Sequence, residues 1–373
     1  MKQVLYIILI TVFGASQCFS QNKIRKTVVD ASSKLPIPLS NVVLIGDRLQ
    51  GTVTNEDGIF VIKSFNSIDS LEVSHIGYNK VKFSSLFKGD TIYLRESITL
   101  MDEVIVEGLS ADYVIDQVIA NLEINHSVEP ITYTAFVRIT EYPQDTSVLH
   151  ILEEHIVNVY EKKDDKPKFK VLKTRVKSFS DEGKKRIKDM RLINLISIDE
   201  DNIFRYKADF LKTQKTKKFI YAFIEHEEAS DSSLYTIECK LKSDTSYVLA
   251  KLFICKTTFA ITKFIKYYKN DIGSYDFTDV SFKLYDDKWY LSNSYRHYKN
   301  NMYQKFYNGK GNHYTDRVCI YNLSSQPTDF KDFKGFVNII AEPIKRYTGD
   351  FDDEFWENSN YLPLPNWIRE RMR

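Results

Sequence analysis

Two His-x-x-Glu pairs are the residues in this chain whose spacing could serve a metal-assisted hydrolase: His126-Ser127-Val128-Glu129 and His150-Ile151-Leu152-Glu153. A zinc carboxypeptidase needs such a pair, a further distant histidine and a glutamate acting as base. His126 falls just before Pro130, a poor platform for a preorganised site. His150 and Glu153 are an odd number of positions apart, so on a strand they point to opposite faces. The string His150-Ile151-Leu152-Glu153-Glu154-His155 misses the inverted zincin spacing by one residue. With 7 histidines among abundant glutamates, chance supplies such pairs. The sequence therefore predicts no catalytic residue, no metal ligand set and no cofactor.

The remaining chemical motifs are equally sparse. Asn55-Glu56-Asp57-Gly58 offers oxygen atoms but lacks the alternating ligands and the distal glutamate of a calcium loop, so it reads as a turn. Glu225-His226-Glu227-Glu228 reads as a charged turn and Gly309-Lys310-Gly311 as a hairpin tip. There is no nucleophile elbow, Walker loop or dinucleotide fingerprint. The aromatic series Tyr290, Tyr295, Tyr298, Tyr303 and Tyr307 reads as sheet face and rim, or as a surface contacting a lipid or glycan. The basic span Lys162 to Lys188 reads as a solvated loop or sheet edge.

Composition bounds the rest. The chain has 373 residues, enough for two or three domains. Lys+Arg 52 against Asp+Glu 50 excludes the basic excess of a nucleic-acid protein. Tyr 24 and Phe 24 with only Gly 13 favour strands over an α/β enzyme. Residues 1–20 read as a signal peptide: Lys2, the apolar run Val4 to Phe13, then Cys18-Phe19-Ser20 before cleavage at Gln21. Lipidation at Cys18 is the competing reading. No later run approaches the ~20 apolar residues of a transmembrane helix. The expectation is export, with a periplasmic or outer-membrane location. Export permits disulfides, and Cys239 and Cys255 lie in consecutive predicted strands where they could pair.

The elements that must carry these residues are mostly strands. Short β-prone runs with frequent turns fill Lys23 to Leu94 and predict a sandwich of about seven strands. Gly51 to Ile62 has the pattern of a β-hairpin closed by Asn55 to Gly58. Val114, Ile115, Val118, Ile119 and Leu122 recur at helical spacing after Ser110, predicting an amphipathic helix at the joint between two β domains. From Ile131 alternation returns through several hairpins and predicts a large antiparallel curved sheet or half-barrel. The predicted divisions are 1–20 signal peptide, 21–106 sandwich, 107–129 linker with helix, 130–347 β-rich domain and 348–373 tail. The fold class is mainly β.

Val28-Val29-Asp30, Pro38 to Val42, Gly51 to Phe60, Ser74 to Tyr78 and Met101 to Val106 occur in an order that resembles the carboxypeptidase-regulatory-like domain. That resemblance implies a seven-stranded prealbumin-like β-sandwich, common in exported Bacteroidetes proteins, without catalytic residues of its own. The second region is similar, more loosely, to Bacteroidetes envelope proteins bearing the same domain. The pair Lys251 to Ile254 with Ala260 to Lys263 is also similar to periplasmic lipoprotein carriers, whose half-barrel shields acyl chains. Glu153 to Tyr160 and Phe351 to Glu357 carry the likeness to the envelope proteins. The functional expectation is a non-enzymatic envelope binding or scaffold protein with a protein partner. The alternative is a carrier of a lipid or other apolar ligand in the curved sheet, and a zinc carboxypeptidase-like hydrolase comes third.

Overall fold

The computed structural model describes residues 22–45, 51–64, 70–75, 77–97, 109–127, 129–143, 149–163, 165–188, 202, 209–211, 219–224, 233–241, 246–270, 274–299, 313–323, 335, 337, 343–344, 356 and 362–372. Seven strands build the front of the chain: β1 (Asn22–Asp30), β2 (Asn41–Leu44), β3 (Gly51–Val53), β4 (Ile59–Ser64), β5 (Ser70–Ser74), β6 (Val81–Ser84) and β7 (Thr91–Leu94). They form a sheet of order β4-β1-β7 and another of order β3-β2-β5-β6. Alternate residues of both sheets, among them Val28, Val42, Phe60, Ile62, Leu71 and Leu94, close into one buried core.

The predicted turn at Asn55 to Gly58 forms, but the predicted hairpin does not. Asn55 Oδ1 accepts the Asp57 and Ile59 N–H groups at 3.0 and 2.8 Å, and Gly58 takes φ 71°. A side chain there would collide with the Val28 carbonyl, so only glycine fits. The flanking strands belong to different sheets, β3 pairing with β2 and β4 with β1. The turn thus carries the chain from one layer of the sandwich to the other. Thr54 keeps backbone bonds to Leu39 and Ser40, while Gly58 already bonds Val28.

Next come two helices, α1 (Ala111–Ala120) and α2 (Leu122–Asn125). Ser110 caps α1 by accepting the Tyr113 N–H, and Ala111, Val114, Ile115 and Val118 form its buried stripe. The remaining strands are β8 (Ile131–Pro143), β9 (Ile151–Glu161), β10 (Lys168–Ser178), β11 (Phe219–Phe223), β12 (Leu234–Leu241), β13 (Ser246–Cys255), β14 (Ile261–Asn270), β15 (Tyr275–Tyr285), β16 (Lys288–Lys299) and β17 (His313–Leu323). The helices α3 (Asp181–Ile187) and α4 (Asn366–Met372) complete the described elements. These ten strands make one antiparallel sheet of order β10-β9-β8-β17-β16-β15-β14-β13-β12-β11, open at β10 and β11.

Period-2 alternation divides that sheet into two different faces. One is apolar: Tyr133, Val137, Val157, Leu252, Phe264 and their neighbours pack against the α1 stripe. The other meets the sandwich. Val53 packs with Phe136, Ile156 and Ile320, and Asn293 Nδ2 donates to Asn41 Oδ1 at 2.7 Å. The helix therefore lies on the side of the sheet away from the sandwich rather than at the joint predicted for it. Its stripe matches the wider apolar face, whereas the joint is built from strand and loop residues. The basic span 162–188 contains edge strand β10 and α3; lysines on an outer strand discourage further strand pairing.

The Cys239–Cys255 disulfide does not form; both thiols are free. Register is the reason, because Cys239 stands opposite Ala250 whereas Cys255 stands opposite Leu234. Five positions along a strand separate the thiols by roughly 17 Å, far beyond disulfide reach.

Candidate functional site

The face of the large sheet turned to the sandwich carries a cavity of about 710 Å³. Three parts of the chain wall it: the sandwich loops at Pro38–Leu39 and Thr54–Glu56, the strand residues Arg138 to Tyr142, Tyr295 and Asp316 to Val318, and the segment Leu362 to Arg371. Each wall is fixed by specific bonds. Thr54 Oγ1 donates to the Ile37 carbonyl at 2.7 Å and accepts the Ser40 N–H at 2.8 Å, which rigidifies the first loop.

The C-terminal segment is gripped from both sides. Asn55 Nδ2 donates to the Pro363 carbonyl, Asp57 Oδ2 accepts the Asn366 N–H at 2.8 Å, and Glu56 accepts the Trp367 indole N–H at 2.5 Å. From the sheet, Arg138 donates to the carbonyls of Leu362 and Pro363. So Asn55-Glu56-Asp57, read from sequence as a turn only, is also the hook that holds α4. Burial pushes the Glu56 carboxyl above its ordinary range, against the opposing pull of the Trp367 hydrogen bond.

Beneath this segment Arg138 and Arg175 both engage Glu154, one on each carboxylate oxygen. The three sit in register on β8, β9 and β10, and all are buried. Such a triad is held by its own geometry: removing the central charge would strand two guanidinium groups in a dry layer. Arg175 also stacks on Trp356, 4.4 Å from the ring centroid.

On the other side of the cavity Asp316 is the hub. Its Oδ1 accepts from Tyr295 at 2.9 Å and from His297 Nδ1 at 2.5 Å, and its Oδ2 accepts from Tyr142 at 2.5 Å. Tyr275 in turn bonds His297 Nε2. A carboxylate, an imidazole and a hydroxyl in that order could activate a nucleophile. The phenol acids are pushed the other way: burial raises Tyr275 to about 12, and burial with the Asp316 charge raises Tyr142 and Tyr295 further. These hydroxyls are held as donors, not as incipient phenolates.

A ring ladder leaves the cavity from Tyr142. It continues through Tyr314, His297, Tyr275, Tyr267 and Tyr247, with ring centroids 5.3–6.4 Å apart. These six residues occupy six consecutive strands of the sheet, from β8 to β13, all on the sandwich side.

The residues singled out from sequence scatter by comparison. Of the aromatic series, Tyr295 alone is placed at the cavity; Tyr290 packs with the helix-side core, Tyr298 stacks with Arg296, and Tyr303 and Tyr307 lie outside the described residues. His126 is buried with Nδ1–H donating to the Trp289 carbonyl, and burial holds it neutral down to about 3, while Glu129 is exposed. Glu153 meets His155 Nε2 at 3.2 Å rather than His150. Among the described residues no group of three or more His, Cys, Asp or Glu is placed to hold a metal ion. Glu225 to Glu228 and Gly309 to Gly311 lie outside the described residues. Among the described residues no helix is long and apolar enough to cross a membrane, which says nothing of a β-barrel.

Residues 24–106 match the CarboxypepD_reg-like domain family, so the front sandwich is a domain of that kind. No curated protein matches the chain. Among solved structures, a LolA superfamily protein from Nitrosomonas europaea is similar at 10% identity and TM-score 0.30, over 61% of this chain and 98% of that one. A DUF1329 family protein from Desulfovibrio piger is similar at 11% identity and TM-score 0.28, over 60% and 97% of the two chains.

Proposed function

We propose that this chain is a non-enzymatic binding protein of the cell envelope, whose ligand occupies the cavity between the sandwich, the large sheet and α4. The observation that carries this reading is the 710 Å³ volume itself, within the ~300–1,000 Å³ of sites that enclose a small ligand. The polar groups around it support binding over turnover. Asp316 already accepts three hydrogen bonds, the tyrosines are held protonated, and Arg138 is committed to Glu154 and two carbonyls. The leader-like residues 1–20 support export, and the reading includes a partner protein at the envelope.

A second reading, a carrier of an apolar ligand, is favoured by the apolar part of the wall: Leu39, Val318, Leu362 and Trp367. Both readings share one test. Native mass spectrometry of the protein isolated from its own envelope should show a non-covalent adduct that is released unaltered on denaturation. Val318→Trp, which fills the cavity, should abolish it. An adduct that survives Val318→Trp, or a wild-type protein with none, sinks the proposal.

A further inference from the structure

We infer that the ligand of this cavity is a linear oligosaccharide, one end seated against Asp316 and the chain running outward along the tyrosine ladder. This rests on the binding reading above and names its ligand class. Three features point the same way. The first is the mixed lining. Beyond their bonds within the chain, the Asp316 and Glu56 carboxylates and the Tyr142 and Tyr295 hydroxyls keep acceptor lone pairs, which an acyl chain filling the cavity would dry without replacing their water. A pyranose presents hydroxyls around its rim that donate as well as accept, so it can fill the spare acceptor sites of carboxylates and phenols together.

The second feature is the aromatic surface. The two faces of a sugar ring carry C–H groups that pack on an aromatic plane, and the cavity offers Trp367, Tyr142 and Tyr295. The third is direction. From Tyr142 one ring per strand continues across five strand gaps, a track of about 24 Å at ~4.8 Å per strand. Successive rings stay within 14–38° of parallel from Tyr142 to Tyr267, and Tyr247 closes the row at 62°. Tyr247, at the far end, is 46% exposed. A compact ligand would cover only the cavity end of this row, whereas a chain of repeating units can contact its outward edges along its length. The near-balance of charge, Lys+Arg 52 against Asp+Glu 50, supports a neutral rather than a highly anionic polymer.

The experiment uses the full mature chain and four neutral hexasaccharides, cellohexaose, maltohexaose, xylohexaose and chitohexaose, each beside its own disaccharide, in titration calorimetry. At least one hexasaccharide should bind, and more tightly than its disaccharide. Tyr247→Ala and Tyr267→Ala should each weaken the hexasaccharide roughly tenfold while leaving disaccharide affinity unchanged. Binding by none of the four overturns the inference, as does a hexasaccharide whose affinity both tyrosine substitutions leave intact. An acyl lipid as the cavity's adduct also overturns it, and in that case the binding-protein reading survives; absence of any adduct removes that reading as well.

Discussion

The two faces of the ten-stranded sheet are made by the same strands and behave as different materials. On β8, Tyr133, Val137 and Ile139 point into the helix-side core, while Arg138, Thr140 and Tyr142 point to the cavity. The first face is satisfied by area alone, since aliphatic contacts are non-directional. The second is satisfied bond by bond: a carboxylate between two guanidinium groups, and another accepting from two phenols and an imidazole. Packing tolerates substitution gradually, whereas a buried charge set fails when one member goes. Non-directional packing and directional bonding are therefore assigned to alternate residues of one strand.

The sharpest way to break that division is Glu154→Gln. Losing the central charge should cost roughly 3–5 kcal/mol in urea unfolding, and loosening Arg138 should speed proteolysis around Pro365. Leu252→Ala on the helix side should cost a comparable ~2–5 kcal/mol through the void it leaves, yet leave cleavage near Pro365 unchanged. If both variants release that segment equally, the faces are not independent.

Acid should strike the helix side next. His126 has an ordinary value of 6.5 and is held neutral by burial to about 3. Its depressed value means that the unfolded chain takes the proton first, so stability is full above 6.5 and declines as pH falls from there towards 3. His126→Phe should flatten that stretch of the stability–pH curve, measured by urea midpoints from pH 7 to 4. An unchanged slope would show that other groups carry the acid sensitivity.

A smaller effect is expected where the sandwich hook holds α4. Asp57→Ala removes the acceptor for the Asn366 N–H, a capping loss of about 1 kcal/mol. Faster amide exchange confined to residues 366–372 is the expected readout, and protection equal to wild type would show that the bonds of Trp367, Leu362 and Pro363 hold the helix without this cap. Smallest of all, a reducing agent should leave the melting temperature unchanged, because Cys239 and Cys255 are free thiols. A drop on reduction would restore the bond that the β12–β13 register excludes.

Much of the architecture is legible in the amino-acid order. The strands at 131–143, 234–241 and 275–299 announce themselves through alternation, and Asp286-Asp287, with φ of 47° and 57°, form the two-residue turn between the last pair. β9 is harder to read. It is buried along nearly its whole length on both faces, so Ile151-Leu152-Glu153-Glu154-His155 shows no period. β17 is also hard to read in its second half, with Arg317 buried on one face and Ile320 on the other. The cavity was beyond reach because its groups are gathered by register: Asp316 meets His297 and Tyr142 through pairings of β17 with β16 and β8. Nothing local in the sequence marks Asp316 as different from any other aspartate in a strand.

The cavity draws its walls from residues near 38, 55, 140, 295, 316 and 367, so no shorter stretch contains it. During synthesis the first of these leaves the ribosome more than three hundred residues ahead of Trp367. The cavity is thus the last part of the fold that the nascent chain can complete, and a molecule in which it has closed has already brought every earlier wall into place.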